Sequence, residues 1–176
     1  TWTKLDAQLV RSYGSYGRVD ALGLKAGNYT LKVVPVKNGA EVTADAVTSS
    51  TLTVKNFNRS GYAHHNAEAG VGAYNDDGTL KSGARVLYVT GNTAKTVTID
   101  MKKDKGNTVF LTGLQSILGA YEKGTETRPL AIRIIGTIKK DDMDALGSSA
   151  IGLQVKGKSQ QMNLTIEGVG NDATLY

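Results

Sequence analysis

The chain has 176 residues, enough for one ordinary domain or two small ones, and its 40% hydrophobic and 21% charged content marks it as globular rather than disordered. Cys is absent, which excludes a disulfide framework and thiolate metal sites, and no apolar run approaches the roughly 20 residues of a helical membrane span. Net charge is +5, so the surface favours anionic partners, whether nucleic acid, acidic lipid or acidic polysaccharide, or is simply an ordinary solvated surface; the Lys and Arg residues are scattered, and no nucleic-acid-binding motif accompanies them.

Gly is abundant, 21 residues against 2 Pro, as in turn-rich β architecture. The chain opens with TWTKLDAQ, which is neither a signal peptide nor a Met start, so a removed targeting segment or a truncation is expected before it.

Residues 1–55 read as strands: Trp2–Val10, Tyr16–Leu22, a run within LGLKAGNYTLKVVPVKNG, and Ser50–Val54. In Tyr29–Thr30–Leu31–Lys32–Val33 apolar and polar residues alternate, which predicts that Tyr29, Leu31 and Val33 face one core. Asn38–Gly39 is a hairpin-turn signal. Gly27 two residues before Tyr29, after Leu24, resembles the tyrosine corner of a β-sandwich, in which the phenol bonds a backbone group just upstream. The segment resembles the back half of a fibronectin type III module, with Trp2 as its inward tryptophan.

Residues 56–85 change texture, with Gly, Asn, Asp and Ala dominating, and read as a linker or connection with a turn at Asp76–Asp77–Gly78. ARVLYVT (Ala84–Thr90) and TVTID (Thr96–Asp100) read as strands separated by the turn GNTAK. Thr112–Gly124 is the predicted helix: Thr112 and Gln115 match a capping box, Leu114, Ile117, Leu118 and Tyr121 share one face, and Gly124 sits where a C′ glycine belongs.

Three later runs share the pattern apolar, any, apolar, any, Gly. They begin at Ile132, Leu153 and Leu164, hence 21 and then 11 residues apart. The longer interval predicts one turn of a β-solenoid and the shorter one a step to the next face within a rung, with these three side chains in one bore and glycine at the corners. GVGNDA (Gly168–Ala173) matches G-x-G-x-x-A, but the dinucleotide fingerprint requires a helix after it, and none is legible in Asn171–Leu175. Gly168 and Gly170 are therefore expected at a solenoid corner.

RPLAIRIIGTI (Arg128–Ile138), then DDMDALGSSAIGLQVKGKS, then MNLTIEGVGNDATLY resembles the start of the right-handed parallel β-helix of bacterial pectate lyases, polysaccharide lyase family one. In that family an I-x-I-x-G-x-I strand opens the coil, here Ile132–Ile138; a helix covers its mouth, here the one from Thr112; and a strand runs into G-x-G-x-x-A, here Thr165–Ala173. GVGAYNDDGTLKSGARVLYVT resembles the lead-in of those pectate lyases that carry a fibronectin-like module. The fold class expected is all-β, with residues 86–176 as the cap and first rungs of the helix. The resemblance implies a secreted enzyme cleaving polygalacturonate by Ca²⁺-dependent β-elimination. It also implies that the Ca²⁺-binding carboxylates and the proton-abstracting arginine lie on later rungs, so that no residue here inherits a catalytic or metal-binding role, while the substrate-binding residues are left open. A second chain carrying the remaining rungs is one conceivable partner; a non-catalytic carbohydrate-binding or adhesin solenoid is the rival reading.

Other signals are weaker. His64–His65 on an extended chain would point to opposite sides, with no evident third ligand. Asp141, Asp142 and Asp144 lack the spacing and Gly of an EF-hand loop and read as a solvated turn. Asn28 and Asn163 head glycosylation triplets in strand context, where the match is incidental. With its histidines adjacent, the chain offers no Ser–His–acid arrangement.

Overall fold

The computed structural model describes residues 1–56, 72–101, 105–144 and 163–176. Among these the fold is mostly β with one α-helix. His64–His65 and the run at Leu153 lie outside the described residues.

The N-terminal segment forms small antiparallel pairs. A 3₁₀ turn at Ala7–Leu9, capped by the Asp6 carboxylate accepting from Gln8 N, precedes β1 (Val10–Tyr13), which pairs with β2 (Tyr16–Val19). β3 (Gly27–Tyr29) pairs with β8 (Leu52–Val54), β4 (Lys32–Val33) with β7 (Val47–Thr48), and β5 (Val36–Lys37) with β6 (Ala40–Glu41). The β5–β6 loop is Asn38–Gly39, with φ of 52° and 80°, the positive pair that a tight hairpin with right-handed strand twist requires. Tyr29 OH donates to Lys25 O at 2.7 Å, the bond expected of a tyrosine corner.

Three expectations here are corrected. The first strand begins at Val10, not Trp2, and Trp2 is 56% exposed under Lys32 rather than inward. Val33 is exposed too. The ladder breaks at Thr30–Leu31, where Leu31 N turns to Ser49 Oγ; beyond the break Val34, not Val33, is half-buried.

The larger core belongs to the second part. β9 (Arg85–Val89), β12 (Leu130–Ile134) and β14 (Leu164–Gly168) form a parallel sheet in the order β14–β12–β9. Ile132 stands beside Leu87 and Ile166, and Ile134 beside Val89 and Gly168. β10 (Thr98–Asp100) pairs antiparallel with β11 (Phe110–Thr112), so the turn after β9 leads to a different sheet rather than closing a hairpin. β13 (Thr137–Ile138) follows β12 after the bend Ile135–Gly136, and β15 (Thr174–Leu175) follows β14 after Val169–Ala173; these two also pair in parallel.

The register corrects two expectations: β14 lies directly beside β12 in one sheet rather than on the next face of the coil, and Leu164 stacks on Leu130 rather than on Ile132, a shift of two residues from the alignment of the repeats. A two-residue slip preserves the facing of every side chain, so Leu164 still packs against the core that holds Ile132.

The helix α1 (Leu114–Glu122) buries Leu114, Ile117, Leu118 and Tyr121 in that core with Leu130, Ile132, Ile134 and Ile138. Its C-terminus closes as predicted: Gly124 has φ +69°, Gly124 N donates to Tyr121 O, and Thr125 N to Ala120 O. The N-terminus does not use the predicted capping box. Thr112 belongs to β11, and Gly113, at φ +93°, occupies the cap position without a side chain. The Asp144 carboxylate instead accepts from Gln115 N at 2.8 Å, Ser116 N at 3.0 Å and Ser116 Oγ at 2.7 Å. A Cβ on Gly113 would collide with that carboxylate. Asp144, read as part of a solvated turn, is thus a helix cap held by tertiary structure.

Candidate functional site

Charged residues gather at three places around the parallel sheet. The first closes the end of the core beside α1. Glu126 is completely buried. Its carboxylate accepts from Thr127 N at 2.9 Å, Arg128 N at 2.8 Å and Arg128 Nη2 at 2.7 Å, with Arg85 Nη2 at 3.3 Å. Asp100 takes both arginines from the other side, Arg128 Nη1 at 2.9 Å and Arg85 Nη1 at 3.1 Å. Burial alone would push the Glu126 carboxyl up; Arg128, Arg85 and two backbone N–H groups outweigh it and hold it below the usual carboxylate range. Tyr121 OH donates to Arg128 O at 2.6 Å and accepts from Arg85, and its burial raises the phenol to about 12.

The second place is the outer face of the sheet. Alternation along Leu130–Ala131–Ile132–Arg133–Ile134 sends Ala131 and Arg133 away from the α1 core. Arg133 is nevertheless buried, because the turn at 72–80 lays Tyr74 over this face. Arg133 Nε donates to Glu167 at 2.9 Å, Nη1 to Tyr88 OH at 3.0 Å and Nη2 to Tyr74 OH at 3.1 Å, and Tyr74 OH is bonded in turn to Glu167. Gly72 enters this turn at φ +61°, where a Cβ would strike Thr165 Oγ1.

The third place joins the β1–β2 hairpin to the corner before β15. Arg11 Nη1 donates to Asp172 at 2.9 Å and Nη2 to Asp20 at 2.6 Å; Tyr13 OH donates to Asp172 at 2.7 Å; Arg18 Nη1 donates to Asn171 Oδ1 at 2.7 Å. Asp172 is held below its ordinary range, chiefly by the Tyr13 hydroxyl and then by Arg11.

Two of these arginines, Arg128 and Arg133, are held in the charged form and so offer no proton acceptor. Arg128 is held charged mainly by Glu126. Burial works against the charge on Arg133, and Tyr74 and Glu167 outweigh it. Calcium does not fit the described residues either. Among them no three His, Asp or Glu side chains group as a metal site, and Asp20, Asp100, Glu126, Glu167 and Asp172 each already face an arginine. Asp142 accepts from Lys139 N within its own turn, and Asp144 caps α1. Asn163 is likewise engaged, donating to Thr127 O and accepting from Lys81, and Asn28 is bonded by Thr53.

The segment Gly168–Ala173 leads into the strand β15 and not into a helix. Gly168 ends β14, with Ala173 Cβ only 2.8 Å from where its own Cβ would stand, and the bend itself falls at Gly170, at φ +85°. Sequence reasoning assigned no role to Arg11, Arg128, Arg133 or Glu126. For Arg133 a signal existed, since a charge inside an apolar strand needs a partner; for Glu126, between Thr125 and Thr127, none did. Comparison with family models, with curated protein sequences and with solved structures finds no match to this chain.

Proposed function

We propose that β12–β13 and β14–β15 are successive rungs of a right-handed parallel β-helix, and that the chain is the N-terminal portion of a secreted pectate lyase acting on polygalacturonate. One observation carries the reading: parallel, in-register stacking on both sides of the same bend. Ile132 lies beside Ile166 before the bend and Ile138 beside Leu175 after it. The bends stack as well, through Val169 N to Ile134 O at 2.8 Å and Thr174 N to Gly136 O at 3.0 Å. A strand–bend–strand unit laid on its copy is what one turn of such a coil consists of. The helix α1 over the adjoining core agrees with the cap of the resemblance.

In this reading β14 and β15 receive the next rung, from the same polypeptide or a second one. Ile166 and Leu175, both exposed, are the apolar side chains it would cover. The reaction in this reading is a β-elimination: the C5 proton of a uronate passes to a base outside the described residues, the C4–O bond breaks with its electrons on the leaving oxygen, and an unsaturated uronate remains; the described residues offer calcium no ligand set, and none of these steps runs through it. The described residues of this chain contribute the capped end of the coil and its fixed internal charges, not the reacting groups.

The rival is a non-catalytic solenoid that binds polysaccharide. It draws support from the same clusters, in which every arginine that meets a carboxylate is committed internally. The intact protein, incubated with polygalacturonate and calcium, decides between them. Rising ultraviolet absorbance from the unsaturated product, abolished by a chelator, is expected; retained binding with no rise would overturn the lyase reading.

A further inference from the structure

The third cluster joins residues far apart in sequence, 159 positions for Tyr13 and Asp172 and 161 for Arg11 and Asp172. Arg11 is its centre. Its side chain is only 9% exposed and spans from Asp20 of its own segment to Asp172 of the corner. Arg18 repeats the arrangement, holding Asp20 at 3.0 Å and reaching Asn171. Tyr13 completes the contact: it stacks on Tyr16 at 5.2 Å on one side and bonds Asp172 with its hydroxyl.

The corner is shaped to admit this hairpin. A Cβ at Gly170 would fall onto Arg11 Nη2, so the guanidinium lies in space that any other residue would fill. Positive φ explains why glycine is favoured at Gly170; the approach of Arg11 is a separate reason. Asp20 keeps Arg11 and Arg18 aimed. Burial pushes the Asp20 carboxyl up, but the two arginines hold it down and charged.

We propose that the Gly168–Ala173 corner is an intramolecular docking site, and that the β1–β2 hairpin seats Arg11, Tyr13 and Arg18 on Asn171 and Asp172 to fix the N-terminal segment against the parallel strands. The second glycine of G-x-G-x-x-A and the two residues after it then serve a contact within the chain: Gly170 clears room for a guanidinium, Asn171 accepts from Arg18, and Asp172 is the counter-charge of Arg11. The inference does not rest on the lyase reading, since it needs only these contacts.

The natural chain contains no Cys, so two introduced cysteines can be spin-labelled without background. Lys37→Cys, at the exposed β5–β6 hairpin, and Lys123→Cys, at the exposed end of α1, lie outside the contact. Pulsed electron spin resonance on the labelled full chain should give one narrow distance distribution. Adding Arg18→Ala with Asp172→Ala, both partly exposed, should abolish the narrow peak and leave circular dichroism unchanged. Gly170→Val, which crowds Arg11 from the other side, should do the same. A broad distribution before these changes, or a narrow one that survives both, would overturn the docking.

Discussion

Replacing Glu126 by Gln keeps the side-chain volume and removes a charge that is wholly buried. The carboxylate receives Arg128 on two nitrogens, Arg85 on one, and two backbone N–H groups. An amide can accept on only one oxygen, and its NH₂ must face guanidinium donors. Breaking a buried pair by removing one partner costs about 3–5 kcal/mol; Arg128 is a third exposed and keeps Asp100, so solvent and Asp100 recover part, leaving about 2–3 kcal/mol. At about 2–4 °C per kcal/mol for a chain of this size, thermal unfolding followed by circular dichroism should shift down by about 4–12 °C.

The pH dependence has a definite sign. The native carboxyl titrates below its unfolded value of about 4.3, so its stabilisation is complete above that pH and fades as pH falls through the native value. The gap between the native chain and its Glu126→Gln variant should therefore be widest near neutrality and close in acid. A shift under about 2 °C, or one indifferent to pH, would refute a charged, paired Glu126.

Asp144→Ala should cost about 1–2 kcal/mol, because Gln115 N and Ser116 N lose their acceptor; urea unfolding measures it, and Asp144→Asn should recover part. Ile132→Ala, at a fully buried position, should cost about 2–5 kcal/mol by the same measurement, whereas Ile166→Ala on the exposed edge strand should cost under about 1 kcal/mol; equal losses would mean the core is misplaced. Ultraviolet titration should show one tyrosine ionising near 12 that disappears in Tyr121→Phe. Since folding raises that pKa, the associated stability is present below about pH 10 and is lost as pH rises toward 12.

Local chemistry made much of this protein legible. The Asn38–Gly39 hairpin needs two positive φ values, and the sequence offers the pair that tolerates them. The apolar face of α1 and its Gly124 stop follow from helical spacing and from the conformational freedom of glycine. Tyr29 bonds a carbonyl four residues upstream, within reach of a short-range reading.

What escaped that reading depends on partners distant in sequence. Alternation states that Leu130, Leu164 and Ile132 share a face but cannot choose between registers two residues apart, because both bury the same side chains. Thr112 and Gln115 compose a plausible cap, yet Thr112 is drawn into β11 by Thr98, and a carboxylate from Asp144 takes its place. Gly170 is readable as a bend, whereas Gly168 closes the strand before it; that Arg11 lies against Gly170 is not readable, since only tertiary structure brings a hairpin near the start of the chain to a corner near its end. Periodicity and turn propensity act over a few residues and are written in the sequence. Long-range salt bridges and strand register are set by which surfaces meet, and no local pattern encodes that meeting.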